Sequence, residues 1–174
     1  MLDPRYPNGK YEPKEYSEAE KVERLAAIKA LPSLVAEAVE GLSEEQQNTP
    51  YREGGWTVKQ VVHHIADSHI NAYTRFKLGL TELNPVIKPY FEKEWANLPD
   101  VHSEPIEISI QLLTALHQRW YSTIKDLDET HWQRTLVHPE HGTKWTLWFL
   151  LGLYAWHGKH HVAHINTLRK NNNW

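Results

Sequence analysis

Apolar residues recur at spacings of three and four in four stretches of this chain, separated by polar, proline-bearing segments. That period puts them on one face of an α-helix. Val22, Leu25, Ile28, Leu31, Val35 and Val39 predict a first helix from Ser17 to about Leu42. Ser17-Glu18-Ala19-Glu20 has the form of a capping box at its start. Pro32 lacks the N–H a helix interior needs, so a kink or short break is expected near Ala30–Leu31. Val58, Val61, Val62, Ile65, Ala72, Tyr73 and Phe76 predict a second helix from Val58 to about Leu80, capped by Thr57.

Ile106, Ile110, Leu113, Leu116, Trp120, Ile124 and Leu127 predict a third helix, with Pro105 as its first residue. The fourth runs from about Thr146 to Arg169-Lys170, basic residues that suit a helix C-terminus, and Asn171-Asn172-Asn173 stops it. Residues 1–16, with three prolines and three tyrosines, read as an extended arm lying on the body. Ser43–Gln47 and Asp128–His131 read as short capped turns, and Asn48–Gly55 as loop. Asn84–Pro105 reads as a long surface connection. Thr135–Lys144 reads as loop, with His138-Pro139 and His141-Gly142 as turn signals.

Four such helices make an all-α, four-helix bundle, expected as one domain over residues 1–174. The halves rhyme. Each has a long helix, a short acidic capped turn, a loop, a Trp-Thr pair (Trp56-Thr57, Trp145-Thr146), then a histidine-bearing helix. The long Asn84–Pro105 connection permits an order other than simple up-down-up-down.

Composition narrows the function. A formal charge of −3 and scattered basic residues give no electrostatic case for nucleic acid or an anionic membrane. The absence of cysteine excludes disulfides, iron–sulfur clusters, thiolate zinc sites and cysteine nucleophiles. The N-terminus has no apolar core of a signal peptide, and the longest apolar run, Leu147 to Trp156, is too short to span a bilayer. The cytoplasm is the expected location.

Twelve histidines change the picture. His157, His160, His161 and His164 fall within eight residues, and a second cluster, His63, His64 and His69, lies upstream. Two histidines four apart share a helix face. On the fourth helix the stripe Leu147, Leu150, Leu151, Tyr154 continues through His157 and His161 to Ile165 and Leu168. His160 and His164 project closer to Lys159 and Lys170. On the second helix the same test favours His64, beside Ile65 and one turn from Val61. His63 falls with Lys59, Gln60 and Asp67, which places it at the surface or behind a ligand. A single histidine on a stripe is usually a hydrogen-bonded core residue. Three in a dry bundle each need a polar partner, and one divalent metal ion supplies all three. His160/His164 is also an i,i+4 pair, so the register stays open.

Gly54-Gly55-Trp56-Thr57-Val58-Lys59-Gln60-Val61-Val62-His63-His64-Ile65-Ala66-Asp67-Ser68-His69, with Tyr154-Ala155-Trp156-His157-Gly158-Lys159-His160-His161-Val162-Ala163-His164-Ile165, resembles the YfiT branch of the DinB superfamily. The likeness extends to Thr49-Pro50-Tyr51-Arg52, Arg75-Phe76-Lys77-Leu78, Lys88-Pro89-Tyr90 and His117-Gln118-Arg119-Trp120. It implies a four-helix bundle with one divalent metal held by three histidines. The Trp-x7-His pattern lands on His64 and the His-x3-His pair on His157 and His161. Typical members have Gln where this chain has His164, which leaves His164 outside the ligand set.

The resemblance also implies a metal-dependent hydrolase acting on a small molecule, cytoplasmic and homodimeric. Other relatives in the superfamily transfer thiols such as bacillithiol. Either chemistry uses an open position on the ion: water with its pKa lowered from ~15.7 towards ~7, or a thiol held as thiolate. No glutamate stands beside the histidine pair, unlike a His-Glu-x-x-His motif. Asp67, one turn past His64, is the nearest carboxylate and a candidate to sit behind a ligand. The non-enzymatic alternative is a closed metal-binding protein with four protein ligands. Zinc is the ion expected from availability, and nickel suits a nitrogen-rich site comparably.

Overall fold

The computed structural model describes residues 3–140 and 142–174. Met1, Leu2 and His141, the last being half of one turn signal, lie outside the described residues. Four long helices form the bundle: α1 (Glu18–Val39), α3 (Val58–Thr81), α6 (Ile106–Ile124) and α8 (Leu147–Asn172). Shorter helices interrupt the connections: α2 (Glu44–Gln47), α4 (Glu92–Trp95), α5 (Pro99–Ser103) and α7 (Glu129–Trp132). Around the bundle the order is α1, α6, α3, α8, so α1 and α3 face each other diagonally, as do α6 and α8. Helices that follow one another among the long four are therefore not always neighbours: the diagonal steps are α1 to α3 and α6 to α8, whereas the long Asn84–Pro105 connection joins the neighbours α3 and α6.

The helix starts are built as their caps require. Thr57 Oγ1 accepts from the Gln60 N–H while the Gln60 side chain returns to the Thr57 N–H, a complete capping box. Ser43 and Gln46 form another on α2. At α1 only half of the expected box exists. Ser17 Oγ accepts from the Glu20 N–H, but the Glu20 carboxylate turns to Lys14 and Arg24 instead. Pro105 precedes α6 as its cap rather than entering it. α8 continues through Asn172 and stops at Asn173, whose φ of 56° is left-handed.

Three expectations are corrected. α1 runs unbroken through Pro32. Pro32 is buried, with Leu31 and Val35 beside it in the core, so tertiary packing keeps the helix where propensity alone would end it. Asn84–Pro105 contains α4 and α5, each too short to show a hydrophobic period. Thr135–Lys144 is not loop: Thr135–His138 (β1) pairs antiparallel with Thr143–Thr146 (β2), Leu136 opposite Trp145. The 85–87 segment supports β1 through Ile87 N–H to Val137 O at 3.0 Å and Val137 N–H to Pro85 O at 2.9 Å. The arm does lie on the body. Trp148 Nε1 donates to Lys14 O at 2.7 Å and Trp156 Nε1 to Gly9 O at 3.1 Å.

The apolar interior is split. One core joins Leu31 and Val35 of α1 to Val62 and Ile65 of α3, Leu113 of α6 and Ile165 of α8. The other joins Leu25 and Ile28 to Ala72 and Phe76, Trp120 and Ile124, and Leu151 and Tyr154. Along each of α3, α6 and α8 the change of core coincides with histidines: buried His69, buried His117, and the turn from half-buried His157 to buried His161. A polar layer thus crosses the bundle between two dry ones.

Close approach of α1 and α8 depends on Gly158. A Cβ there would meet Leu31 Cδ2 at 2.6 Å and Cδ1 at 2.7 Å, and Leu31 is itself buried. Gly158→Ala is therefore expected to destabilise the fold by about 1–3 kcal/mol despite alanine's better helix propensity. Urea unfolding measures this, and an unchanged midpoint would show that the two helices separate freely.

Candidate metal centre

The three histidines favoured by the stripe argument meet in the polar layer. His64, His157 and His161 offer ring nitrogens that all lie within 4.8 Å of one another. α3 supplies the first from its second turn, held in place by the Thr57 cap. The indole of Trp56, just before the cap, packs on the His64 ring at 4.6 Å between centroids. α8 supplies the other two one turn apart, their centroids 4.5 Å from each other.

His64 Nε2 and His157 Nε2 are 3.3 Å apart. Two nitrogens each about 2.0–2.1 Å from one tetrahedral ion would be separated by roughly 3.3–3.4 Å. That pair therefore fits a divalent cation in both chemistry and spacing, and His161 adds a third imidazole within 4.8 Å.

Electrostatics agree with that fit. Burial holds the His64 imidazole down to about 4, with His160 adding to the effect. Burial, and after it the neighbouring histidines, hold His157 and His161 well below their ordinary value. All three rings are neutral at pH 7 and keep a lone pair for a metal. Nδ1 of His161 is buried without a hydrogen-bond partner.

The group opens on a cavity of about 530 Å³. Trp56 and Trp156 form apolar parts of its wall, and Glu92 and Lys93 of α4 bring opposite charges to it. Glu92 and Lys93 were not anticipated from sequence. Nothing local marks a pair of charges in a long connection as facing a cavity nearly thirty positions from His64. Asp67, the carboxylate that sequence favoured, is absent from that wall. It is half-buried, raised to about 6 by burial and by Asp100.

Two further expectations change. His160 and His164 are buried rather than turned to the basic side of α8. The N-terminal arm covers them: His160 Nδ1 meets Asn8 Oδ1 at 3.1 Å and His164 Nε2 meets Arg5 O at 3.3 Å. Trp156 stacks on His160 and Tyr51 on His164. With His161 these two form a second group of ring nitrogens within 4.8 Å. The groups share His161, and in the second the arm already occupies one nitrogen each of His160 and His164. His63 is also buried, its Nδ1 2.7 Å from Ser109 Oγ on α6, because α6 packs against the face that Lys59 and Gln60 suggested was open.

His69 and His117 extend the histidine layer into the bundle. His69 belongs to the upstream cluster without being favoured as a ligand, and His117 is not considered as one. The available signal was their place on apolar stripes, His117 four residues after Leu113 and three before Trp120.

Comparison with known proteins points the same way. The sequence profile of the DinB superfamily matches residues 27–165. A protein of Oceanobacillus iheyensis, named "Putative metal-dependent hydrolase OB0782", is 56% identical over 147 residues, 84% of each chain. A protein of Bacillus cereus bearing the same description is 48% identical over 176 residues, the full length of both. The solved structure of YfiT from Bacillus subtilis superposes with a TM-score of 0.96 at 42% identity, over 99% of each chain. It is described as a probable metal-dependent hydrolase with an unusual four-helix bundle topology.

Proposed function

The chain belongs to the DinB superfamily, and from that membership we propose that it is a metal-dependent hydrolase of a small molecule, its divalent ion held by His64, His157 and His161. The observation that carries this reading is the meeting of three neutral imidazoles, His64 and His161 buried and His157 half-buried, with ring nitrogens within 4.8 Å of one another beside a cavity. When bound, the ion supplies Lewis acidity, polarising a substrate carbonyl and acidifying water. Zinc is the favoured ion, since three nitrogens leave one tetrahedral position open. Nickel is the alternative on affinity.

The protein's own residues do the rest. Trp56 and Trp156 flank the substrate with apolar surface and thin the water around it. Glu92 is the carboxylate on the cavity wall able to take a proton, and Lys93 offers a cation to an anionic part of the substrate. A closed, purely structural site accords less well with a histidine group opening on so large a cavity.

Thiol transfer is the second reading. It draws on the all-histidine makeup of both groups, which include no carboxylate to serve as a base. One experiment separates the two. Protein freed of metal by chelation, and the same protein reloaded with zinc or nickel, is given a panel of esters and amides, and separately thiols with an electrophile. Product from an ester or amide without thiol, only in the loaded protein, is the expected result. Metal-dependent consumption of thiol instead would replace hydrolysis by transfer. Turnover in verified metal-free protein would overturn both.

A further inference from the structure

Residue 32 of α1 is proline, so no N–H reaches back one turn to the carbonyl of Ile28. A buried carbonyl needs a donor. His117 of α6 provides one, its Nδ1 2.6 Å from Ile28 O. A carbonyl oxygen only accepts, so Nδ1 of His117 carries the proton. His117 is 1% exposed. Among the described residues no carboxylate ion-pairs with His117; His131, which does pair with one, is an exposed side chain on α7. A second proton on His117 would therefore be a bare buried charge, so the ring is neutral and its Nε2 accepts.

That orientation propagates. His69 Nδ1 lies 3.0 Å from His117 Nε2 and must donate to it. His69 is 0% exposed, so it too holds a single proton, and its Nε2 accepts. His157 Nδ1 lies 3.2 Å from His69 Nε2 and donates in turn. The one proton of His157 is then on Nδ1. Its Nε2 is bare, 3.3 Å from His64 Nε2.

We propose that His117 and His69 are positioning residues for the metal centre, relaying from the Ile28 carbonyl a single tautomer that presents the bare Nε2 of His157 to the ion. The proposal rests on the reading of His157 as a ligand. Hydrogen bonding at one ring nitrogen decides which atom of a histidine is free to bind a metal. In this bundle the decision is made three rings away, by a proline. It gives Pro32 a role beyond tolerance inside a helix, and it accounts for two histidines buried between apolar cores.

The test reads tautomers directly. Long-range proton–nitrogen NMR of 15N-histidine-labelled, metal-free protein near pH 7.5 is expected to show His117, His69 and His157 all protonated at Nδ1. Free histidine side chains favour Nε2. His69→Phe keeps the ring volume and removes the acceptor, so His157 should shift towards the Nε2–H form and zinc affinity should fall about 10–100-fold. His69→Gln offers one donor and one acceptor in the same order, and is expected to restore the His157 signal and most of the affinity.

The wild-type spectrum needs no substitution, so the proposal survives a variant that fails to fold. A proton on Nε2 of His157 in the wild type, or an unaltered His157 signal in folded His69→Phe, would overturn the relay whether or not zinc binds. Nδ1 protons on all three rings in a protein that takes up no zinc would support the relay and remove the ligand assignment instead.

Discussion

If the proposed centre holds, alanine at His161 is expected to take the protein from about one tightly held divalent ion per chain to essentially none, because one of the three proposed protein ligands is lost. His64→Ala and His157→Ala should do the same. The ring nitrogens of these three residues converge within 4.8 Å, and each comes from a neutral, well-packed imidazole. Removing a ligand should exceed the roughly 10–100-fold loss typical of residues that only support one. Hydrolytic activity should disappear with the metal while the helical content survives, since the apolar cores on either side are untouched.

His160→Ala is the informative control. Its ring stacks on Trp156 and binds Asn8, so metal should remain. Elemental analysis of the purified variants decides the register. Metal retained in His157→Ala and lost in His160→Ala would move the centre to the His160, His161 and His164 group.

Acid should unfold the metal-free protein over a narrow range. Burial lowers His64 and His117 to about 4, and holds His69, His157 and His161 well below 6.5. The unfolded chain, with ordinary histidines near 6.5, binds more protons than the folded one between those values. Stability from these groups is therefore fully present above about pH 6.5 and lost as pH falls towards 4. His64 and His117 account for about 3 kcal/mol each, a sum comparable to the ~5–15 kcal/mol that typically holds a domain together. The melting temperature, followed by circular dichroism, should drop steeply between pH 6.5 and 4.5. Bound metal should resist the first part of the fall and be released within it, since protons compete for the same nitrogens. A flat melting temperature from pH 7 to 5 would show that these rings are hydrated rather than buried neutral.

How much of this was legible beforehand follows from the range over which each feature is determined. The four long helices were, because the i, i+3, i+4 spacing of Val22 to Val39 or Leu147 to Leu168 is repeated over several turns. Caps at Ser43, Thr57 and Asp128 were, because a hydroxyl or carboxylate three residues before a free N–H is a local arrangement. The pairing of His157 with His161, and their place on the inward stripe, came from the same period. So did His64, once its helix was phased. The likeness to the DinB superfamily lay in contiguous blocks that can be compared without a structure.

Other features depended on segments distant in the chain. The hairpin of β1 and β2 has four residues per strand, too few to show alternation, and it takes part of its support from residues 85–87. The burial of His160 and His164 depends on an arm about 150 positions away, so helix phase alone turned them outward. Glu92 and Lys93 became cavity residues only when α4 packed beside α3 and faced α8.

The sequence by itself determined four amphipathic helices, the face carrying the histidine pair, and a chain without cysteine chemistry. Local spacing fixes those, and spacing is written in the chain. The tertiary structure alone decided which histidines touch, which nitrogen of each is free, and that a proline in α1 governs a ring in α8. Those depend on how helices distant in sequence pack within a few ångströms of one another, and no local period encodes that approach.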